Sequence, residues 1–314
     1  MKGRRLGGTF LAAALIVAMA PASAFSWGWA THTYIVKQLV GDDGDAIYGA
    51  VVPDMGQVMD PTVGAFLQEK THRKFDRLVG KGFAMGLPDT AWGFASHNEF
   101  WGADNTAHNA VSGYVTLKTI QLVTLTGLDA QLHALLLANG VPDPDASYLA
   151  AQFAGTIAHE AVEYAVDIQV GETLDGAAGQ SLADAAYLRN PGVPDLVVRA
   201  YGHNLADQFQ LPEAAAEGLL RGGESDFQAF MVGYGSLLAV GDRQTIVGAL
   251  AQQGAARLHA YVLALTGLDV TVPAGDLAQI LDAAFVVTGD SGPALDATLD
   301  LLRRDMGLRI RDIE

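Results

Sequence analysis

The stretch SYLAAQFAGTIAHEAVEYAVDIQVG, residues 147–171, decides the fold class. Its apolar residues recur at three- and four-residue steps, which is the spacing that places side chains along one face of an α-helix. The same spacing runs through residues 108–127 and 242–267, and each of these segments ends at a glycine, where a helix commonly stops. Alternation with a period of two, which would indicate strands, is scarce. The sequence therefore predicts an all-α protein, a multi-helix bundle of roughly ten helices.

The same stretch carries a polar stripe. His159, Glu163 and Asp167 stand four residues apart and so share one face of the predicted helix. Their neighbours are Ala, Ile, Val and Phe, so we expect this helix to be largely buried. A buried imidazole with two carboxylates needs a counter-charge, and 19 basic residues against 35 acidic ones supply few partners. The stripe therefore predicts a bound metal ion, with a solvated polar face and a capping histidine as the alternative.

Three shorter stretches also place histidine or aspartate in settings that suit a metal. His203 and Asp207 stand four residues apart in GHNLADQF, a spacing that also arises by chance. Asp54 follows a proline in GAVVPDMGQ, where a turn or a helix cap explains it as well. The third stretch, SHNEFWGADNTAH, contributes His97, Asp104 and His108.

The first 26 residues are typical of a secretory signal. A basic start precedes the apolar run FLAAALIVAMA and the small residues ASA, and the run is shorter than the ~20 residues that span a bilayer. The chain has no cysteine, which excludes disulfides and a lipoprotein anchor. We therefore expect a periplasmic or secreted protein. Cleavage is predicted before Phe25 or before Trp27, and only the second frees the amine of Trp27, five residues before His32.

The net charge narrows the class of partner. It is −16 for the whole chain and more negative still without the three basic residues of the predicted leader. A protein that binds nucleic acid needs a basic surface, so nucleic acid is an unfavoured partner. An acidic chain suits the binding of several cations.

Five motifs together carry a family resemblance. WGWATHTYIVKQL, GAVVPD, SHNEFW, GTIAHEAVEYAVD and GHNLADQF occur in the order found in the zinc-dependent phospholipase C family. That superfamily also contains zinc-dependent single-strand nucleases and the amino-terminal domain of glycosylphosphatidylinositol-specific phospholipase D. The resemblance covers residues 27–210 and implies an all-α fold with a metal cleft that holds two or three zinc ions. Residues 211–314 match no motif, and we expect them to form a C-terminal helical extension packed on the same domain.

The resemblance implies a set of zinc ligands. The first ion would be held by Asp54, His97, His159 and Glu163, the second by Asp167, His203 and Asp207, and the third by His32, a shared oxygen of Glu163, and the amine and carbonyl of Trp27. Asp54 would also act as the general base or orient the metal-bound water.

One alternative concerns the early histidine ligand. His72 competes with His97 for that position, and we favour His97 because Arg73 and Lys74 follow His72 directly. A basic neighbourhood disfavours a bound cation. Asp104 and His108 are expected to cap the next helix or to support the ligands from outside.

The resemblance implies an exported metal-dependent hydrolase, a phosphodiesterase that cleaves a phospholipid headgroup or another small phosphodiester, with at most peripheral membrane contact. An enzyme alternative is a single-strand nuclease or nucleotidase on the same scaffold. A non-catalytic metal-binding helical module is a third reading, because Glu163 stands where the family has Asp and Asp167 where it has His.

Overall fold

The chain folds into α-helices joined by short connections. The computed structural model describes residues 27–109 and 111–310, and within those ranges it contains no strand. The predicted all-α multi-helix bundle is therefore confirmed. The predicted signal segment 1–26 and both predicted cleavage sites lie outside the described residues.

Fifteen α-helices and one 3-10 helix follow one another along the described chain. They are α1 (Trp29–Val40), α2 (Gly44–Val51), the 3-10 helix (Val52–Val58), α3 (Pro61–Arg73), α4 (Asp76–Ala84), α5 (Pro88–His97), α6 (Ala103–His108), α7 (Tyr114–Thr126), α8 (Leu128–Ala138), α9 (Asp145–Thr173), α10 (Ala178–Tyr187), α11 (Val193–Phe209), α12 (Glu213–Ala239), α13 (Arg243–Thr266), α14 (Ala274–Val287) and α15 (Ser291–Ile310).

Helix α9, built from the stretch that opened the sequence analysis, is the central helix of the fold. It packs against α1, α7, α8 and α14, and its apolar side chains such as Phe153, Val162 and Val166 are buried. Because neighbouring helices cover it on several sides, polar residues along its length are enclosed as well. This enclosure decides the environment of the predicted stripe.

Helices α2 and α5 approach each other unusually closely. A Cβ atom at Gly93 would overlap the carbonyl oxygen of Ala46, and one at Gly49 would overlap that of Thr90. Glycine at these two positions therefore lets the two backbones touch. The close approach brings the C-terminal end of α5, which carries His97, against the end of α2.

The four C-terminal helices share the hydrophobic core with the rest of the chain. Helix α12 packs against α10 and α11, α14 packs against α7 and α9, and α15 contacts α1, α5 and α6. Two buried hydroxyl groups tie α12 inward, since Tyr48 donates to Glu224 and Tyr234 donates to Asp167. The segment that matches no motif thus forms walls around the region of the predicted metal ligands.

Within the described ranges, no single helix has the length and hydropathy of a membrane span. Helices α7 and α8 meet those criteria only when taken together, and they are bent by 60° at the break between them.

Candidate metal centre

Five buried side chains from five different elements converge below the start of α1. We call them the inner cluster: His32 of α1, Asp54 of the 3-10 helix, His72 of α3, His97 of α5 and Asp104 of α6. The Nε2 atom of His97 lies 3.0 Å from Nε2 of His72 and 3.1 Å from Oδ2 of Asp104. His72 Nε2 lies 3.3 Å from Asp54 Oδ1, and His32 Nε2 lies 3.4 Å from Asp104 Oδ1. All five residues are at most 2% exposed.

The backbone fixes how two of the imidazoles present themselves. His97 Nδ1 lies 2.7 Å from the carbonyl oxygen of Ala50, and His72 Nδ1 lies 3.0 Å from that of Gln68. A carbonyl only accepts, so each Nδ1 carries a proton and donates it, and in the neutral ring each Nε2 turns a lone pair toward the cluster. Two lone pairs 3.0 Å apart repel each other unless a proton or a metal cation lies between them. This is the ligand arrangement expected at a metal site, where an outer hydrogen bond orients each histidine.

The two carboxylates of the inner cluster also point at its centre. Asp54 accepts a hydrogen bond from the indole of Trp29 at Oδ2 (2.9 Å). Among the described residues, its Oδ1 and both oxygens of Asp104 face histidine Nε2 atoms at 3.1–3.7 Å. Buried carboxylates need a compensating positive charge, which a protonated histidine or a bound metal cation supplies.

The electrostatics of the inner cluster favour a positive charge at its centre. Burial alone would lower the pKa of His97, but the carboxylates of Asp104 and Asp54 raise it to about 9. Burial would likewise raise the pKa of Asp104, yet His97 and the hydrogen-bonding contact with His32 hold it well below its ordinary value. The field of this cluster therefore stabilises a cation, whether a proton or a metal.

A second group, the outer cluster, contains His108 of α6 with His159 and Glu163 of α9. The Nε2 atoms of the two histidines lie 3.0 Å apart, and Glu163 Oε1 lies 3.5 Å from His159 Nδ1 and 3.7 Å from His108 Nε2. Burial lowers the pKa of His108 to about 4 and raises that of Glu163 well above its ordinary value. These side chains are 11% exposed, so this cluster forms the accessible edge of the site.

The two clusters are neighbours. Asp104 and His108 lie one helical turn apart on α6 and belong to different clusters. Besides burial, the charges of Asp54 and Asp104 contribute to the raised pKa of Glu163, across the boundary between the clusters. Among the residues that the structure describes, three groups could each hold a metal ion, the donor atoms within each group lying within 4.8 Å of one another, and two of these groups share His97.

The structure brings together five of the residues predicted from sequence, but it groups them differently. The predicted first set divides, because Asp54 and His97 lie in the inner cluster whereas His159 and Glu163 lie in the outer one. His32 lies in the inner cluster, beside Asp104 rather than Glu163. The grouping differs because α6, which sequence reasoning left outside the site, supplies a ligand candidate to each cluster.

Asp167, predicted as a ligand of the second ion, has a structural role instead. Its carboxylate accepts hydrogen bonds from the backbone N–H groups of Ala30 and Thr31 (2.9 and 2.8 Å) and from the hydroxyls of Thr31 and Tyr234 (2.6 and 2.7 Å). These donors occupy both oxygens and cap the amino terminus of α1. A side chain at Gly28 would collide with this carboxylate, so glycine is required there.

The other two members of the predicted second set lie on the surface. His203 Nε2 contacts Asp207 Oδ2 at 3.3 Å, and His203 Nδ1 contacts Glu213 Oε1 at 3.3 Å. The side chains of His203 and Asp207 are 65% and 70% exposed, whereas Asp167 is fully buried. The predicted grouping of Asp167, His203 and Asp207 is not assembled, because the face of α11 that carries the pair is turned to solvent.

Trp27 is anchored by its side chain. The indole donates to the Thr106 hydroxyl (3.1 Å) and stacks on Tyr114 with ring centroids 5.3 Å apart. Thr106 lies on α6 between the candidate ligands of the two clusters. The predicted ligation through the amine and carbonyl of Trp27 stays a prediction.

Three candidate ligands in the clusters were missing from the predicted set: His72, Asp104 and His108. The basic neighbours that counted against His72 point elsewhere, since Arg73 pairs with Glu99 and Lys74 with Glu69. Asp104 and His108 carried a usable signal, because they stand four residues apart as His159 and Glu163 do.

No family model, curated protein or solved structure matches this chain. The resemblance to zinc-dependent phospholipase C thus stays a prediction from the sequence motifs.

Proposed function

We propose that this chain is an exported zinc-dependent phosphodiesterase that hydrolyses a phospholipid headgroup. The observation that carries the proposal is the pair of adjacent clusters, in which eight imidazole and carboxylate side chains converge without any thiolate. This donor set suits Zn²⁺. Adjacent metal positions are the arrangement used by enzymes that cleave phosphate esters.

In this proposal the inner cluster holds metal through its three histidines and two aspartates, and the outer cluster holds it through His108, His159 and Glu163. When bound, zinc ions supply Lewis acidity, a lowered pKa for water and stabilisation of charge on the phosphoryl oxygens. The chain itself supplies a preorganised set of ligands, because the inner cluster is buried and backbone carbonyls orient two of its histidines.

Asp54 is the candidate for proton transfer. The indole of Trp29 fixes its Oδ2, so Oδ1 is directed toward the cluster with a defined orientation. Burial alone would raise the pKa of Asp54, but His97 and His72 hold it below its ordinary value, which keeps the group ionised. An ionised, oriented carboxylate can hold water in position and accept its proton.

The proposal is tested on the purified full chain by counting zinc with mass spectrometry and by assaying p-nitrophenyl phosphocholine beside single-stranded DNA. We expect two or three zinc ions per chain, with hydrolysis of the phosphocholine diester. Cleavage of DNA in its place would favour the nuclease alternative. Full zinc loading with neither activity would favour a non-catalytic module, and less than one zinc per chain would overturn the metal site itself.

A matched pair of variants links the activity to the clusters. Glu163→Gln removes a buried carboxylate from the outer cluster, and we expect it to lower both the zinc content and the rate of hydrolysis. Glu217→Gln makes the same chemical change on the exposed surface of α12 and should alter neither. Equal behaviour of the two variants would contradict the assignment of the outer cluster.

A further inference from the structure

A cavity of about 680 Å³ lies between α9, α3 and the 3-10 helix on one side and α12, α13 and α14 on the other. Its volume falls within the range of about 300–1,000 Å³ that is typical of small-molecule sites. The clusters described above account for none of its lining residues. The cavity therefore needs an explanation of its own.

The cavity shares three of its walls with the metal centre. On the 3-10 helix, Gly56 begins the cavity lining two residues after Asp54. On α3, Gln68 lines the cavity one turn before His72, and its backbone carbonyl accepts the His72 hydrogen bond. On α9, Glu160 lines the cavity directly after His159. Three elements that line this cavity thus also carry residues of the two clusters.

The opposite walls are hydrocarbon apart from Arg257 of α13. Helices α13 and α14 contribute aliphatic side chains that include Leu250, Leu277 and Ile280. The only charged residues in the lining are Glu160 and Arg257, and the Glu160 carboxylate raises the pKa of Arg257. Their charges compensate each other, so the lining has no net charge. Apolar walls of this kind favour an apolar occupant, because they leave water without hydrogen-bonding partners.

We propose that this cavity receives one hydrocarbon chain of the substrate while the phosphodiester lies at the outer cluster. The inference rests on the proposed function and assigns the place where a hydrocarbon chain of its substrate binds. The order of residues along α9 supports it, because Glu160 and Tyr164 of the lining directly follow His159 and Glu163 of the outer cluster, so the two sites use adjacent faces of one helix. The C-terminal helices, which match no motif, then supply the specificity for the chain.

Chain length is the first test. A series of n-alkyl sulfobetaines from hexyl to dodecyl, used below their micellar concentrations, carries a zwitterionic head and no hydrolysable phosphodiester. Titrated by calorimetry into the zinc-loaded full chain, each added methylene should strengthen binding by about fourfold until the cavity is full. An affinity that does not change along the series would overturn the proposal.

Variants that fill the cavity form the second test. Gly254 of α13 and Leu277 both line the cavity, and a Cβ placed at Gly254 would lie 3.3 Å from Cδ1 of Leu277, so Gly254→Leu adds bulk against this wall and reduces the space. We expect it to weaken binding of the dodecyl probe on the order of tenfold. Ala65→Leu fills the cavity from the α3 side and covers the case in which the first variant fails to fold. Gly248→Leu, on α13 like Gly254, enters open space outside the lining and should leave binding unchanged.

Hydrolysis separates this inference from the proposed function. Gly254→Leu should lower kcat/KM for single-chain lysophosphatidylcholine by about tenfold and leave that for p-nitrophenyl phosphocholine unchanged. Chain-dependent binding without hydrolysis of either substrate would overturn the proposed function and retain the chain-binding cavity. Hydrolysis of both substrates with chain-independent binding would retain the function and overturn the cavity assignment.

Discussion

Two helices carry a histidine and a carboxylate at the same four-residue spacing, and the fold uses them in opposite ways. On α9, His159 and Glu163 are buried and meet His108 from α6. On α11, His203 and Asp207 are largely exposed to water, and Glu213 joins them there. Spacing therefore places two side chains on one face of a helix. It does not determine whether another helix packs over that face and contributes a further ligand.

The physical difference is enclosure. Four helices pack around α9, so its polar groups cannot be hydrated and must find charged or hydrogen-bonding partners inside the protein. The pair on α11 is hydrated and screened, and an exposed ion pair of this kind contributes little to stability. Four predictions follow from the contrast, in order of decreasing expected effect.

The largest effect is expected where several elements converge. Asp104→Ala removes the carboxylate that faces His32, His72 and His97. We expect the loss of at least one zinc per chain and a fall in kcat/KM of more than about 100-fold, because removing a ligand exceeds the effect of disturbing its supports. Zinc content and hydrolysis rate measure this directly.

The exposed Asp300→Ala on α15 is the control for this variant. It should retain zinc and activity. Full zinc content and full activity in Asp104→Ala would contradict the assignment of the inner cluster as a metal site.

Asp167, the third residue of the α9 stripe, should affect stability rather than zinc binding. Asp167→Ala leaves two backbone N–H groups and the Tyr234 hydroxyl without their acceptor, so we expect a loss of about 3 kcal/mol in the free energy of unfolding. Urea denaturation at saturating zinc measures it. Tyr234→Phe removes one of the same hydrogen bonds and should cost about 1 kcal/mol. A drop in zinc stoichiometry of the folded Asp167→Ala protein would return this residue to the metal site.

A supporting residue should give a smaller effect on function. Trp29→Phe keeps an aromatic ring against Phe230 and Tyr234 but removes the indole N–H that orients Asp54. We expect about a tenfold loss in kcat/KM or in zinc affinity, as is found for groups that hold metal ligands in place. Competition with a chelator and steady-state kinetics measure the two quantities. A change in unfolding free energy alone would mean that Trp29 acts only through packing.

The exposed pair should give the smallest effect. His203→Ala and Asp207→Ala are expected to change the free energy of unfolding by less than about 0.5 kcal/mol and to leave zinc content and activity unchanged. Thermal unfolding and metal analysis measure both. Loss of zinc in either variant would erase the distinction between the two helices and restore the second ligand set predicted from sequence.

Much of this fold follows from local patterns. The periodicity of residues 147–171 predicts a helix, and the apolar neighbours of the stripe predict its burial, because both depend on residues close together in the chain. The chemistry of His159 and Glu163 follows from the same reasoning. The same four-residue spacing also made His203 and Asp207 candidate ligands, because spacing does not show whether another helix packs over that face of α11.

The composition of the clusters could not be predicted in the same way. His72 meets His97 only because two glycines allow α2 and α5 to touch and because backbone carbonyls turn both imidazoles inward. Asp167 became a helix cap because α1 begins against it, a contact between residues far apart in sequence. Which of these side chains meet depends on tertiary packing, and a short stretch of sequence does not predict it.

The Asp167 carboxylate also affects the order in which the chain acquires its structure. Asp167 lies on α9, and its carboxylate accepts hydrogen bonds both from the start of α1 and from Tyr234 of α12. It therefore connects three helices that are far apart in the sequence. Contacts between such distant segments slow folding, because a long loop must close before they form. His32 follows the capped residues of α1 by a single position, so its placement depends on the contact between α1 and α9. The metal centre is therefore completed only when segments far apart in the sequence have met.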